Sequence, residues 1–169
     1  SVEKMKKNKN VLYILKSHPS SFLLNEEGFL ENYYYKNKLY KYDNIKICPK
    51  DIKTNALLSI IDTVATCSGS AGLELAAFYG KRPILAGASY YSNLGFTQDC
   101  KSEKEYYKFF AKPNLLKKLS HQDKINANKC LYLVECSYKE HNIGNFFPKN
   151  IRIHKYKKIS LISDKNYIK

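Results

Sequence analysis

The sequence predicts an α/β domain: a parallel sheet with helices on both of its faces. Three observations carry that expectation. Short apolar runs at 11–15 (Val-Leu-Tyr-Ile-Leu), 64–67 (Val-Ala-Thr-Cys) and 84–86 (Ile-Leu-Ala) have the character of strands buried on both faces. Between the last two, Leu73, Ala76, Ala77 and Gly80 recur at helical spacing, and Gly80 followed by Pro83 stops that helix. The small residues Ser68-Gly69-Ser70 join strand to helix, so residues 61–86 read as a βαβ unit. A chain of 169 residues with 44% hydrophobic content suffices for one compact domain of this kind.

Residues 1–10 are polar and basic and read as a linker or a frayed helix end. The strand at 11–15 is wholly apolar, which predicts a central place in the sheet, and it ends in Lys16-Ser17-His18-Pro19. Pro19 holds His18 extended at the carboxyl end of a strand, where open α/β sheets bind their ligands. Residues 28–42 read as an aromatic, basic helix, 45–48 as a second strand ended by Pro49, and 54–60 as the next helix. After the strand at 84–86 comes a long loop over 87–97, rich in small residues and tyrosine, a composition suited to facing a ligand. Ser102 is placed to cap a helix with Glu103 and Glu105 in its first turn, and Pro113 breaks it. One or two further helices are expected over 115–138, a turn over 142–148, and a basic tail over 149–169. The domain proper is therefore 11–148.

The turn at 68–70 presents backbone N–H groups at a helix N-terminus, a favourable place for phosphate. It has Gly69 and Gly72 but neither G-x-G-x-x-G nor a Gly-Lys-Ser/Thr ending, so it is neither of the two familiar phosphate loops. The same residues also suit an ordinary tight βα turn. The charge balance, 29 Lys+Arg against 15 Asp+Glu, gives +14 and suits an anionic partner or a Lys- and Asn-rich compositional habit. Five cysteines, with no C-x-x-C and no metal-ligand spacing, predict reduced thiols in a cytoplasmic protein and no metal centre. No apolar segment is long enough to cross a bilayer, and a start at Ser1 suggests a portion of a longer protein.

Three pieces stand in order: Lys-Ser-His-Pro at 16–19, Ser-Gly-Ser-Ala-Gly-Leu-Glu at 68–74, and Gly-Lys-Arg-Pro at 80–83 leading to Tyr-Tyr-Ser-Asn-Leu-Gly-Phe-Thr at 90–97. Together they resemble the nucleotide-sugar-binding half of bacterial capsule polysaccharide biosynthesis glycosyltransferases, the group that includes Kdo (ketodeoxyoctonate) transferases. The resemblance covers roughly residues 11–110. It implies a Rossmann-like, three-layer domain, one half of a GT-B fold, with the acceptor-side domain lying outside this sequence.

At its strand end His18 can bind a phosphate oxygen, with Lys16 adding charge nearby. The alternation of strands and helices predicts His18 and Ser68 close together at the carboxyl edge of one sheet. The resemblance further implies that His18 and the turn Ser68, Gly69 and Ser70 meet the donor's phosphate. Glu74 would accept hydrogen bonds from ribose hydroxyls, and Tyr91 and Thr97 would belong to a lid or pocket. The implied reaction transfers a sugar, first of all Kdo from CMP-Kdo, to a glycan or glycolipid acceptor, without a further cofactor. The catalytic residues would lie on the absent N-terminal domain. The implied setting is cytoplasmic, with peripheral contact at an anionic inner membrane face and no nucleic acid partner. The alternatives are a nucleotide-sugar epimerase or polymer glycerophosphotransferase domain, or a non-catalytic, membrane-recruited capsule-assembly module.

Overall fold

A computed structural model describes residues 1–18 and 27–137. The chain divides into two compact units, Ser1–Leu57 and a second from Leu58 onward. Both pair their strands in parallel, the hallmark of the α/β class.

In the first unit, helix α1 (Val2–Lys7) leads to strand β1 (Tyr13–Leu15). Helix α2 (Phe29–Lys36), a 3₁₀ turn (Leu39–Lys41) and strand β2 (Ile45–Ile47) follow. β1 and β2 pair in register from Tyr13 opposite Ile45 to Leu15 opposite Ile47. Met5, Tyr13, Tyr34, Leu39 and Ile45 are buried and form the unit's apolar interior. Two polar groups fix it in place. The buried Asn44 amide donates to the carbonyls of Met5 and Asn8, both at 2.8 Å, and so ties the end of α1 to the start of β2. The Tyr34 hydroxyl donates to the Ile45 carbonyl at 3.2 Å, which seats the inner face of α2 on β2.

Helix α3 (Thr54–Ile60) carries the boundary between the units. The second unit continues with β3 (Ala65–Thr66), α4 (Ala71–Tyr79), β4 (Ile84–Leu85), β5 (Gln98–Asp99) and α5 (Glu103–Ala111). A 3₁₀ turn (Pro113–Leu115) leads to α6 (His121–Leu131), which runs on into a π-helical turn (Tyr132–Ser137). The strand order is β3-β4-β5, all parallel. α4 ends where the sequence requires. Gly80 takes the left-handed conformation (φ 62°) and its N–H donates to the Ala76 carbonyl at 3.1 Å. α4 packs against α6, and Leu73, Ala76, Leu85, Tyr91, Phe96, Leu119, Ala127, Cys130 and Val134 close the core between them. Each fully buried large apolar side chain in it contributes roughly 1.5–3 kcal/mol.

Two expectations need correction. In place of one continuous sheet, the described strands form a two-stranded sheet and a three-stranded sheet, and β1 pairs with β2 alone. Strand β5 was not expected, because Gln98 and Asp99 are polar. It becomes a strand by pairing with the buried Ile84 and Leu85, a tertiary effect that overrides local propensity.

Candidate functional site

The site is built outward from β3. The chain leaves Thr66 through Cys67, Ser68, Gly69 and Ser70 and enters α4 at Ala71. Ser68 and Ser70 are exposed and Gly69 is half-buried. The turn is pinned from both ends: the Gly69 N–H donates to Thr66 Oγ1 at 3.2 Å, and the Gly69 carbonyl accepts the Tyr91 hydroxyl at 2.6 Å. Gly72 is needed where it stands, because a Cβ there would run into the Tyr91 hydroxyl, with Tyr91 Cζ only 3.2 Å away.

Ser70 occupies the N-cap position of α4, yet its side chain makes no capping bond to the helix. Its hydroxyl donates instead to Glu74 Oε1 at 2.8 Å. The positive end of the α4 dipole therefore opens onto an exposed turn without the side-chain acceptor that normally occupies it. Glu74, one turn into the helix and half-buried, presents its carboxylate beside Ser70. Chemically this offers backbone N–H dipoles for an anion and, one helical turn away, a strong acceptor for hydroxyl groups.

Tyr91 is placed beneath this turn, not at a surface facing a ligand: it is wholly buried. Its ring stacks on Phe96 (6.1 Å, 17° between planes) and meets Tyr90 edge-on at 4.9 Å. Burial pushes its hydroxyl up to about 12, so it stays a proton donor to Gly69 throughout the neutral range. Thr97 is also buried. Its hydroxyl donates to Asp99 Oδ2 at 2.7 Å, and that same oxygen accepts the Asn93 N–H at 3.2 Å. Both residues thus hold the 87–97 loop onto the core below the turn.

Comparison with protein-family models, with curated proteins and with solved structures finds no match.

Lys16 and His18 belong to the first unit, following β1. Lys16 Nζ donates to the Ile52 carbonyl at 2.7 Å, and His18 is exposed. Ser68, Gly69, Ser70, Glu74, Tyr91 and Thr97 all belong to the second unit.

Arg82 matters here although sequence reasoning gave it no role. Its guanidinium donates to the carbonyls of Lys117 (2.9 Å), Gly95 (2.6 Å) and Thr97 (2.9 Å), and to Asp123 Oδ2 (3.0 Å). This fan locks the far end of the loop whose near end carries Tyr91. The only signal in the sequence was an arginine immediately before Pro83. A shallow cavity of about 280 Å³ also opens past the carboxyl ends of β4 and β5, lined by Ala86, Cys100, Lys101, Ser102, Glu103 and Tyr106. Burial, with the Glu105 and Asp99 carboxylates adding to it, pushes the Cys100 thiol up to about 11, so it is a protonated lining group at neutral pH. Among the described residues no group of His, Cys, Asp and Glu is arranged to hold a metal ion.

Proposed function

We propose that this chain supplies the donor-binding domain of a GT-B glycosyltransferase in capsule or surface polysaccharide synthesis. In this reading it is the Rossmann-like, three-layer half of a longer enzyme, and the acceptor site and general base are contributed from outside it. The donor is a nucleotide sugar, with CMP-Kdo first. The observation that carries the proposal is the exposed Ser68–Ser70 turn at the N-terminus of α4, whose N-cap side chain is turned away to Glu74.

The chemistry follows from that geometry. Departure of the nucleotide leaves negative charge on phosphate, and a helix N-terminus held in fixed orientation stabilises that charge without reorganising. Glu74 accepts from the ribose diol, and Ser70, released from Glu74, becomes a donor to the phosphate. Tyr91 and Thr97 act from below, through the turn and its loop. Lys16 and His18 are included as further phosphate contacts from their place after β1 and, for His18, from the resemblance.

Calorimetric titration with CMP, UDP, GDP and CDP tests the reading. A cytidine monophosphate is expected to bind best. His18→Ala is expected to weaken it by about 1–3 kcal/mol, the cost of a hydrogen bond to a charged group. Glu74→Gln separates the two ends of the ligand. It removes a negative charge near the phosphate and leaves the diol only a carboxamide oxygen, a weaker acceptor than a carboxylate, so inorganic phosphate should bind as well or better while CMP binds less well. CMP should be weakened far more than deoxy-CMP, which lacks the diol. If no nucleotide binds, or Glu74→Gln leaves the CMP to deoxy-CMP ratio unchanged, the site as drawn is wrong.

A further inference from the structure

One peptide unit, between Gly69 and Ser70, decides what the turn before α4 shows to solvent. In a planar trans peptide the carbonyl of one residue and the N–H of the next point in opposite directions. The Gly69 carbonyl points inward. It accepts the hydroxyl of the buried Tyr91 at 2.6 Å and, at 3.4 Å, the Gly72 N–H. The Ser70 N–H therefore points away from Tyr91, on the side where Ser68 and Ser70 are exposed. The Gly69 N–H is already given to Thr66 Oγ1 at 3.2 Å. The N–H groups of Ser70 and Ala71 donate to no group among the described residues.

Nothing in Gly69 itself holds this orientation. Without a Cβ, a glycine turns its peptide plane at little steric cost. Half a turn would show solvent a carbonyl oxygen in place of the Ser70 N–H. The two orientations have opposite electrostatic sense, one receiving an anion and the other repelling it. What separates them is the Tyr91 hydroxyl, and Tyr91 has no freedom of its own. Its ring is wholly buried, stacked on Phe96 and met edge-on by Tyr90, and Gly72 leaves the space that its oxygen fills.

We propose that Tyr91 is a positioning residue of the phosphate site. Its hydroxyl locks the Gly69–Ser70 peptide with the Ser70 N–H outward, and that lock makes the turn a receptor for a phosphate group. The proposal rests on the nucleotide reading for its ligand. It adds the donor that meets the phosphate and the group that aims it. A donor already aimed gains most, because nothing must reorganise when the charge arrives.

Backbone amide NMR of the full chain, read beside calorimetric titration with CMP, tests this. In the wild type, CMP is expected to move the Ser70 N–H resonance downfield, as a hydrogen bond to phosphate does. Tyr91→Phe keeps the ring but frees the peptide. Its CMP affinity is expected to fall about tenfold or more, the equivalent of a hydrogen bond to a charged group. The shift at Ser70 is expected to vanish with it. Thr66→Val is the control for a turn that is merely loosened: it removes the hold on the Gly69 N–H and leaves the Gly69 carbonyl on Tyr91. Its CMP affinity is expected to stay close to that of the wild type. CMP bound to the wild type without a shift at Ser70 overturns the proposal and leaves the nucleotide reading standing, and this measurement needs no variant. Wild-type affinity in Tyr91→Phe, or an equal loss in Tyr91→Phe and Thr66→Val, overturns it as well. If the wild type binds no CMP, the nucleotide reading and the proposal fall together.

Discussion

At the scale of single residues, Tyr91 governs the geometry of the candidate site without facing a ligand. Its hydroxyl spans 22 positions of sequence to reach the Gly69 carbonyl. No pattern of residue types announces such a bond. A tyrosine in a small-residue loop reads the same whether it lines a pocket or plugs a core, which is why the sequence alone placed Tyr91 and Thr97 toward a ligand. Glu74 was legible as a first-turn acid, but its hold on Ser70 was not, since Ser70 equally suits a capping role. Tyr91→Phe is expected to cost about 0.5–1.5 kcal/mol at neutral pH, the net worth of the lost hydrogen bond. The pH dependence makes the test specific. The folded-state hydroxyl titrates near 12, above the unfolded value of about 10, so between those values the unfolded chain binds fewer protons. Tyr91's stabilisation is therefore complete below about pH 10 and is lost as pH rises toward 12. Denaturant melts of the wild type and Tyr91→Phe should differ at pH 7, meet within that window and cross above it, because a rise of about two units outweighs the gap at neutral pH. A gap that stays constant to pH 12 would mean that Tyr91 is not buried with its proton.

At the scale of elements, termini were easier to read than pairings. The stop of α4 at Gly80 and the cap of α5 by Ser102, whose Oγ accepts the Glu105 N–H at 3.2 Å, follow from local chemistry. The capping box of α6, Ser120 with Asp123, is written in the sequence as Ser-x-x-Asp, inside a long stretch of helical character that hides the start of the helix. Asp123 also receives Arg82, which joins α6 to the start of β5 and to the 87–97 loop. Burial raises the Asp123 carboxyl, but the backbone and side-chain hydrogen bonds from Ser120 and the Arg82 guanidinium outweigh it and bring the group below its ordinary value. A depressed folded value gives stabilisation that is present above the unfolded value, about 3.9, and disappears as pH falls through the folded one. Asp123→Asn should thus destabilise at neutral pH and flatten the acid limb of the stability curve below about pH 4. Arg82→Lys keeps the charge but loses the fan of donors, and leaves carbonyls of Gly95, Thr97 and Lys117 short of partners. A cost of about 2–3 kcal/mol is expected. If urea titration finds Arg82→Lys as stable as the wild type, the arginine is not the brace described here.

At the scale of the whole chain, the α/β class and parallel pairing were legible because short apolar runs alternate with helical ones. The division into two units was not. Apolar runs of three to five residues specify a strand but not its neighbour, so the sequence does not distinguish β1 and β3 as members of separate sheets. Lys16 and His18 belong to the first unit and Ser68, Gly69, Ser70 and Glu74 to the second, so each set is tested by itself. A ligand that binds only the folded state stabilises it by RT ln(1 + [L]/Kd), about 2.7 kcal/mol at a hundredfold excess over Kd. Amide hydrogen exchange shows where that stabilisation falls. With CMP at such an excess, residues 66–74 should gain protection, since the N–H groups of the turn and the first turn of α4 are those that meet the phosphate. Residues 13–18 then report separately on Lys16 and His18: added protection there supports their assignment, and its absence confines the site to the turn and Glu74. Stabilisation by CMP with no gain at 66–74 would place the nucleotide elsewhere, and the α4 N-terminus would then be an ordinary βα turn.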